Sequence, residues 1–255
     1  MTRLTDLKVK IFADGADLTQ VATLCRHPLI KGFTTNPTLM RKAGVEDYRT
    51  FAAEMLALVG DRPVSFEVLS DEFDEMEAQA REIARWGKGV YVKIPVTNTR
   101  GAFAGPLVAR LAAAGIRVNV TAVLTVEQVA RVLECLSDET PSFVSVFAGR
   151  IADTGRDPVP VMTSAVQLLR RRPAAELIWA SPREILNIFH AEAVGCHVIT
   201  VTHDLLTKLP LLGKDLGLYS LETVVMFLED AIKAGYTIDG PGPATGSRTP
   251  RASGA

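Results

Sequence analysis

The chain has 255 residues, a formal net charge of -1 from 28 basic and 29 acidic residues, and 47% hydrophobic residues. This length allows one large buried core. The charge balance provides no sequence-wide attraction to nucleic acid or to an anionic membrane, and no stretch reaches the roughly 18 apolar residues of a membrane span. The 3 cysteines lack metal-ligand spacing, as is typical of reduced thiols. We expect a cytoplasmic protein with a small-molecule partner.

Short apolar or β-branched runs recur along the chain and predict eight strands, at residues 9–14, 30–35, 64–68, 89–95, 117–123, 143–149, 176–180 and 198–202. A helical pattern follows each run. Helix start signals occur at Asp17, at Ser70 or Asp71, at Thr125, and at Ser181 ahead of Glu184.

The number and spacing of these units predict the fold class, which is α/β. Eight βα units within residues 1–238 indicate a single (β/α)8 TIM barrel. An open doubly wound sheet is the competing architecture. It is less favoured because no G-x-G-x-x-G turn follows the first strand.

Two segments lie beyond the eight units. Residues 218–229 have the pattern of an extra amphipathic helix, which would cap the barrel or pack on a neighbouring subunit, so we expect a homo-oligomer. Residues 239–255 lack apolar periodicity and are dense in Gly, Pro and small polar residues. This composition predicts a disordered tail.

Lys93 is unusual because it lies in a strand-forming run, between Val92 and Ile94. Burial disfavours the charged ammonium form and makes a neutral amine available to attack a carbonyl and form a Schiff base. A lysine near a strand end can instead extend its head group into solvent. Lys93 therefore favours covalent aldol chemistry if other polar residues collect beside it.

Such polar residues do lie at or near the C-terminal ends of the predicted strands, which is where barrel enzymes place functional side chains. The set comprises Asp14, Asn36, Glu67, Lys93, Asn119, Thr121, Ser145, Arg150, Ser181 and Arg183. Some members can be ordinary turn residues, as Asp14 before Gly15 can be. Asn119 and Thr121 are different, because they share one face of a buried strand, where polar groups need partners.

A phosphate site is indicated at the ends of the sixth and seventh strands. Arg150 and Arg183 offer bidentate donors to an anion, and Ser181 opens a predicted helix whose free N–H groups favour one as well. The alternatives are a surface ion pair for the arginines and a simple N-cap for Ser181.

Five segments together resemble the successive signatures of the transaldolase family. They are GFTTNPTL at 32–39, VYVKIP at 90–95, NVT at 119–121, SVFAGRI at 145–151 and ASPR at 180–183. The resemblance extends over residues 9–238 and implies a class I aldolase barrel with no metal or organic cofactor. Such an enzyme transfers a dihydroxyacetone unit from a ketose phosphate to an aldose phosphate through a lysine Schiff base, here on Lys93.

The resemblance also implies a role for each site residue. Asp14 would be the acid/base acting on the substrate hydroxyl, and Glu67 and Thr121 would hold the water that shuttles protons. The expected ligands are Asn36, Asn119 and Ser145 for the sugar hydroxyls, and Arg150, Ser181 and Arg183 for the phosphate.

Two positions bear on the reaction subtype. Fructose-6-phosphate aldolases of this family typically have Gln where this chain has Glu67 and Tyr where it has Phe147. Both residues here resemble those of the transferase. Phe147 in particular lacks a hydroxyl that could position water for hydrolysis in the substrate pocket. A free aldolase and a non-catalytic sugar-phosphate-binding barrel are the alternatives.

The chain also departs from the family pattern at Val146, at Pro182 and at residues 202–204. His203 can either reach the substrate pocket or lie on its rim. These departures leave open the donor and acceptor sugars, and also whether the pathway is central pentose metabolism or a specialised sugar route.

Overall fold

The computed structural model describes residues 4–238. Over these residues the chain divides into two units, the first ending at Pro210 and the second beginning at Leu211. All eight strands lie in the first unit, and a long helix lies in the second. The disordered tail predicted at 239–255 lies outside the described residues.

Eight parallel strands close into a barrel in which each strand pairs with the next and β8 pairs with β1. The strands are β1 Lys10–Asp14, β2 Ile30–Thr34, β3 Val64–Glu67, β4 Val90–Pro95, β5 Val118–Val123, β6 Ser142–Val146, β7 Ala175–Trp179 and β8 Val198–Thr202. The predicted (β/α)8 fold is confirmed. The predicted strand ends agree with the structure to within one residue except at the end of β6, where the apolar run 143–149 includes the start of a helix that begins at Ala148.

Helices connect the strands around the barrel. They are α1 Leu18–Leu24, α2 Pro37–Lys42, α3 Tyr48–Val59, α4 Phe73–Ile83, α5 Gly105–Ala113, α6 Val126–Leu133, α7 Ala148–Asp153, α8 Val159–Leu169, α9 Leu186–Ala193 and α10 His203–Leu206. Short 3-10 helices occur at Leu4–Asp6 and Leu209–Leu211.

Two of the predicted helix starts are confirmed. Asp17 caps α1, where its side chain accepts from the N–H groups of Thr19 and Gln20. Thr125 forms a capping box with Gln128 at the start of α6. In both cases a side-chain oxygen replaces the intrahelical acceptor that the first turn lacks.

The expected start at Ser70 or Asp71 is wrong, because α4 begins at Phe73 after Glu72. Asp71 instead accepts from the backbone N–H and the hydroxyl of Thr99, at 2.7 and 2.6 Å. A contact with another loop therefore competes successfully with the local cap.

An apolar plug fills the barrel directly below the strand ends. Phe143 packs against Phe12 and Tyr91, with ring centroids 5.6 and 4.2 Å apart. Successive side chains on a strand alternate in direction, so the residue two positions later points the same way. This alternation carries Asp14, Lys93 and Ser145 inward, one layer above Phe12, Tyr91 and Phe143.

The second unit contains α11, Leu216–Ala234, and thus confirms the extra C-terminal helix. Asp215 caps its start by accepting from the N–H of Leu218, and Gly235 ends it in the left-handed conformation. Large apolar side chains along it are exposed, including Leu221, Val224 and Phe227. Within residues 4–238, no helix combines the length and apolar character needed to cross a membrane.

Candidate active site

A cavity of about 810 Å³ opens at the carboxyl ends of the strands. Every predicted site residue except Asn119 lines it: Asp14, Asn36, Glu67, Lys93, Thr121, Ser145, Phe147, Arg150, Ser181 and Arg183. Residues from seven different strands and their following loops are thus brought to one place. The barrel closure does this, because it gathers all eight carboxyl ends at one rim.

Lys93 is only 5% exposed. Its Nζ donates to the backbone carbonyl of Thr35 at 2.8 Å and lies 3.4 Å from Oε2 of Glu67. A buried amine needs such partners, since an unpaired charge in a protein interior is costly. Lys93 therefore points into the barrel beside a carboxylate, and the solvent-exposed alternative does not apply.

Asp14 belongs to a hydrogen-bonded group that crosses three strands. The Thr34 hydroxyl donates to Oδ1 of Asp14 at 2.7 Å and lies 2.5 Å from the Thr200 hydroxyl. Burial raises the pKa of Asp14, while the charge of Lys93 and the hydrogen bond from Thr34 act in the opposite direction. A carboxyl group with a raised pKa is suited to exchange protons closer to neutral pH.

Thr121 has a buried hydroxyl with no hydrogen-bond partner among the described residues. The next residue, Ala122, has a φ of 60° and also lines the cavity. Left-handed backbone is strained for alanine, and such strain collects at functional sites. The β5–β6 register shifts between Val120 and Val123, so this distortion lies where the strand reaches the cavity.

Asn119, two residues before Thr121 on β5, is fully buried and does not line the cavity. Its Nδ2 donates to the Ser65 hydroxyl at 3.0 Å, and its Oδ1 accepts from the Ser145 hydroxyl at 2.7 Å. The amide therefore orients Ser145, which does line the cavity. Direct binding of a sugar hydroxyl by Asn119 stays a prediction.

Asn36 serves a structural and a potential binding role together. Its Oδ1 accepts from the N–H of Leu39 at 2.9 Å and caps α2, which begins with Pro37. This bond fixes the orientation of the amide and directs its NH₂ group away from the helix. The turn interpretation and the site interpretation of Asn36 are compatible.

The two arginines at the cavity differ in their partners. Arg183 forms a bidentate ion pair with Asp153, in which Nε donates to Oδ1 at 2.8 Å and Nη2 to Oδ2. This pairing raises the pKa of Arg183 and lowers that of Asp153. The guanidinium of Arg150 lies 5.4 Å from the ring centroid of Phe147, a cation–π distance. The ion-pair alternative thus applies to Arg183, whose remaining N–H groups stay available to an anion.

The prediction that Ser181 caps a helix with Glu184 is wrong. Ser181 has a φ of 60°, and α9 begins only at Leu186. The side chain of Asn187 instead accepts from the N–H groups of Arg183 and Glu184, at 2.7 and 3.2 Å. No helix terminus at Ser181 is available to bind an anion.

The Ser181 backbone packs closely against the start of α7. A Cβ on Gly149 would lie 1.5 Å from the carbonyl oxygen of Ser181, so only glycine fits at this position. The Gly149 N–H also donates to the carbonyl of Ala180 at 3.3 Å. The contact joins the start of α7, which carries Arg150, to the loop that carries Arg183.

Several cavity residues were missed by the sequence analysis. Thr200 lies two positions before Thr202 on β8, so strand alternation offered a signal for it, whereas Asp204 and Lys208 follow the strand and had none. His203 does not line the cavity in the described part of the chain, which favours the rim position. Residues 4–238 contain no group of three or more His, Cys, Asp or Glu arranged to hold a metal ion.

The raised pKa of Asp14 predicts that this residue lowers stability at neutral pH. The unfolded chain loses the Asp14 proton at a lower pH than the folded protein, so stability falls as pH rises from the unfolded pKa through the folded one. Asp14→Asn removes this loss and keeps an acceptor for Thr34. Urea unfolding should show equal stabilities below about pH 4 and a more stable variant near about pH 7. The assignment would be contradicted if the free energy of unfolding of the variant, minus that of the wild type, were lower at about pH 7 than at about pH 4.

Comparison with known proteins identifies the family of the chain. The family model described as transaldolase/fructose-6-phosphate aldolase matches residues 11–240. A "probable transaldolase" of Dehalococcoides mccartyi is 32% identical over 79% of this chain and 90% of its own length. The corresponding Streptococcus agalactiae protein is 34% identical, over 76% and 86%. A "probable transaldolase 2" of Listeria monocytogenes is 35% identical, over 79% and 88%.

Among solved structures, a Coccidioides immitis protein assigned to the dihydrodipicolinate synthase family superposes with a TM-score of 0.58. The match covers 95% of this chain and 81% of that one, at 14% identity. This similarity concerns the barrel fold alone. The family match covers most of the chain, and the chain therefore belongs to the transaldolase/fructose-6-phosphate aldolase family.

Proposed function

We propose that this protein is a transaldolase that transfers a dihydroxyacetone unit from a ketose phosphate to an aldose phosphate through a Schiff base on Lys93. The observation that carries the proposal is the position of the Lys93 amino group. It is buried inside the barrel, lines the cavity, and has Glu67 at 3.4 Å. An enclosed amine beside a proton acceptor is what covalent carbonyl chemistry requires.

Schiff-base formation begins when the neutral Lys93 amine attacks the keto carbon of the donor and a carbon–nitrogen bond forms. The resulting carbinolamine loses its hydroxyl group as water and leaves a protonated imine. Glu67 is close enough to Nζ to exchange protons with it, directly or through a water. The partner-free hydroxyl of Thr121 supplies a second hydrogen-bonding group for that water.

Asp14 drives the carbon–carbon step in this mechanism. Its carboxylate takes the proton of the β-hydroxyl, the bond between the α and β carbons breaks, and the electron pair moves into the protonated imine to give an enamine. The aldose phosphate leaves as an aldehyde. The raised pKa of Asp14 allows it to hold this proton and return it when the enamine attacks the acceptor aldehyde.

The choice between transfer and hydrolysis depends on whether water reaches the three-carbon intermediate before an acceptor does. Phe147 lines the cavity with an apolar ring and offers no hydroxyl to orient water. Glu67 presents a carboxylate where a free aldolase of the family would present an amide. Both features favour transfer over the fructose-6-phosphate aldolase reaction.

The phosphate of both sugars is proposed to bind between Arg150 and Arg183, next to Ser181. All three residues line the cavity, and the Arg150 guanidinium lies 5.4 Å from the ring centroid of Phe147, which also lines it. Two guanidinium groups provide charge-assisted hydrogen bonds, each worth about 1.5 to 3 kcal/mol. Asp153 already pairs with Arg183, so a bound phosphate shares that guanidinium with it.

We further propose that the protein is a cytoplasmic homo-oligomer. The three cysteines are free thiols, as a reducing compartment favours. Helix α11 exposes more large apolar side chains than isolated surface residues account for. A second copy of the chain is the partner that is always present at matching concentration.

Lys93→Met should abolish transfer, because the variant keeps a side chain of similar length but lacks the nucleophile. We expect a loss of at least about 10³-fold in the rate of transfer between fructose 6-phosphate and an aldose phosphate. Lys31→Met serves as the matched control, since Lys31 is exposed, does not line the cavity, and its Nζ donates to the carbonyl of Pro28. Substantial activity in Lys93→Met would exclude the Schiff-base mechanism at this residue.

Arg150→Ala and Arg183→Ala should each weaken transfer from phosphorylated donors by roughly 10- to 150-fold, the loss of one charge-assisted contact. Steady-state assays with phosphorylated and unphosphorylated ketoses measure this. Arg156→Ala is the control, because Arg156 is exposed and does not line the cavity. Equal losses on both donor types would show that the arginine is not a phosphate ligand.

Fructose 6-phosphate supplied without an acceptor should yield little free dihydroxyacetone with the wild type. Phe147→Tyr adds one hydroxyl to the cavity wall and should increase this release, if the hydroxyl positions a water. The assay follows dihydroxyacetone over time in both proteins. Rapid multiple-turnover release by the wild type would identify the free-aldolase reaction instead.

Light scattering after gel filtration should give a mass that is a multiple of 27.5 kDa. Phe227→Asp, which places a charge on the exposed apolar part of α11, should shift the protein toward the monomer. Glu229→Gln on the same helix should leave the mass unchanged. A wild type that is monomeric at micromolar concentration would refute the oligomer.

A further inference from the structure

Strand β3 extends past the end of its neighbour β2. The two strands pair at Phe33 with Val64 and at Thr34 with Ser65. The last contacts come from Thr35, whose backbone N–H and hydroxyl both donate to the carbonyl of Ser65, at 3.2 and 2.8 Å. The chain then turns into α2, so β2 offers no further backbone partner.

This arrangement leaves the backbone of Glu67 without a partner on β2. In a parallel strand, residues two apart direct their N–H and C=O groups to the same neighbour. Val68 bonds to β4 through the carbonyl of Lys93, whereas Ser65 and Glu67 both face β2. The N–H and C=O of Glu67 therefore need a partner from outside the sheet, since buried backbone groups are costly when unpaired.

Tyr48 provides both partners with one hydroxyl. Its Oη accepts from the N–H of Glu67 at 2.8 Å and donates to the carbonyl of Glu67 at 2.9 Å. A phenol can do this only when it is protonated, and burial raises the pKa of Tyr48. The side chain thus takes the place of a missing strand residue at the cavity rim.

The position of the Tyr48 ring is itself fixed. Tyr48 is the first residue of α3, which Asp47 caps by accepting from the N–H of Thr50. The ring packs edge-on against Trp86 and Phe66, with centroids 5.4 and 6.2 Å away. Edge-to-face aromatic contacts of this kind hold a ring in one orientation.

We propose that Tyr48 is a positioning residue that holds the backbone at Glu67 and so fixes the distance between the Glu67 carboxylate and the Lys93 amine. The inference rests on the proposed function, since it assigns Tyr48 to the proton transfer between these two groups. Among residues 4–238 the hydroxyl bonds to the Glu67 backbone alone, so its effect on the reaction passes through Glu67.

Tyr48→Phe tests this role, because it removes both hydrogen bonds and keeps the ring. We expect kcat to fall by on the order of tenfold, since small misplacements of a reacting group have large effects on rate, with KM changed less than about twofold. In a Glu67→Gln background, Tyr48→Phe should have little further effect, as expected for residues acting in one unit. Full additivity of the two changes would refute the proposal.

Two further measurements separate positioning from general destabilisation. Thr140→Val removes another buried hydroxyl, which donates to the carbonyl of Ala112 with a distance of 3.0 Å. Neither residue lines the cavity, so this variant should leave kcat unchanged. Hydrogen-exchange mass spectrometry should show faster exchange at residues 64–68 in Tyr48→Phe but not in Thr140→Val. If the exchange rate at residues 64–68 were unchanged in Tyr48→Phe and the wild type were active, the role of Tyr48 would be refuted and the proposed function would stand. A wild type without transfer activity would instead refute the proposed function.

Discussion

The burial of the Lys93 amino group is the constraint on which the site depends. Because Lys93 is only 5% exposed, its amino group must find its partners within the protein, and the barrel supplies the carbonyl of Thr35, directly after β2, and a carboxylate from β3. In the proposed mechanism the same carboxylate exchanges protons with the amine. That mechanism uses one set of contacts both to stabilise the lysine and to activate it, and the proposed role of Tyr48 in holding Glu67 serves both.

Two hydrogen-bonded groups link polar side chains of different strands around the barrel. One joins Asp14, Thr34 and Thr200 on β1, β2 and β8, and the other joins Ser65, Asn119 and Ser145 on β3, β5 and β6. The apolar plug of Phe12, Tyr91 and Phe143 lies on the same inward faces of the strands, where Ser65 pairs with Tyr91 and Asn119 with Phe143. Packing against the plug and hydrogen bonding within the two groups together hold Asp14 and Ser145 in place.

The sequence was sufficient for the fold and for ten of the residues that line the cavity, because strand periodicity and the strand-end rule depend only on local order. It was insufficient where distant segments meet. The pairing of Thr34 with Thr200 depends on the stagger of strands around the barrel, and the ion pair of Arg183 with Asp153 depends on the packing of two loops. Ser181 was assigned to a helix cap because its left-handed backbone, next to Gly149, cannot be read from its neighbours.

Reductive trapping tests the central claim most directly. Borohydride added during incubation with fructose 6-phosphate should convert the imine into a stable amine, in the presence of EDTA as in its absence. Peptide mapping by mass spectrometry should then place a three-carbon adduct on Lys93. An adduct on another lysine, or no adduct in an enzyme that is actively turning over, would contradict the account.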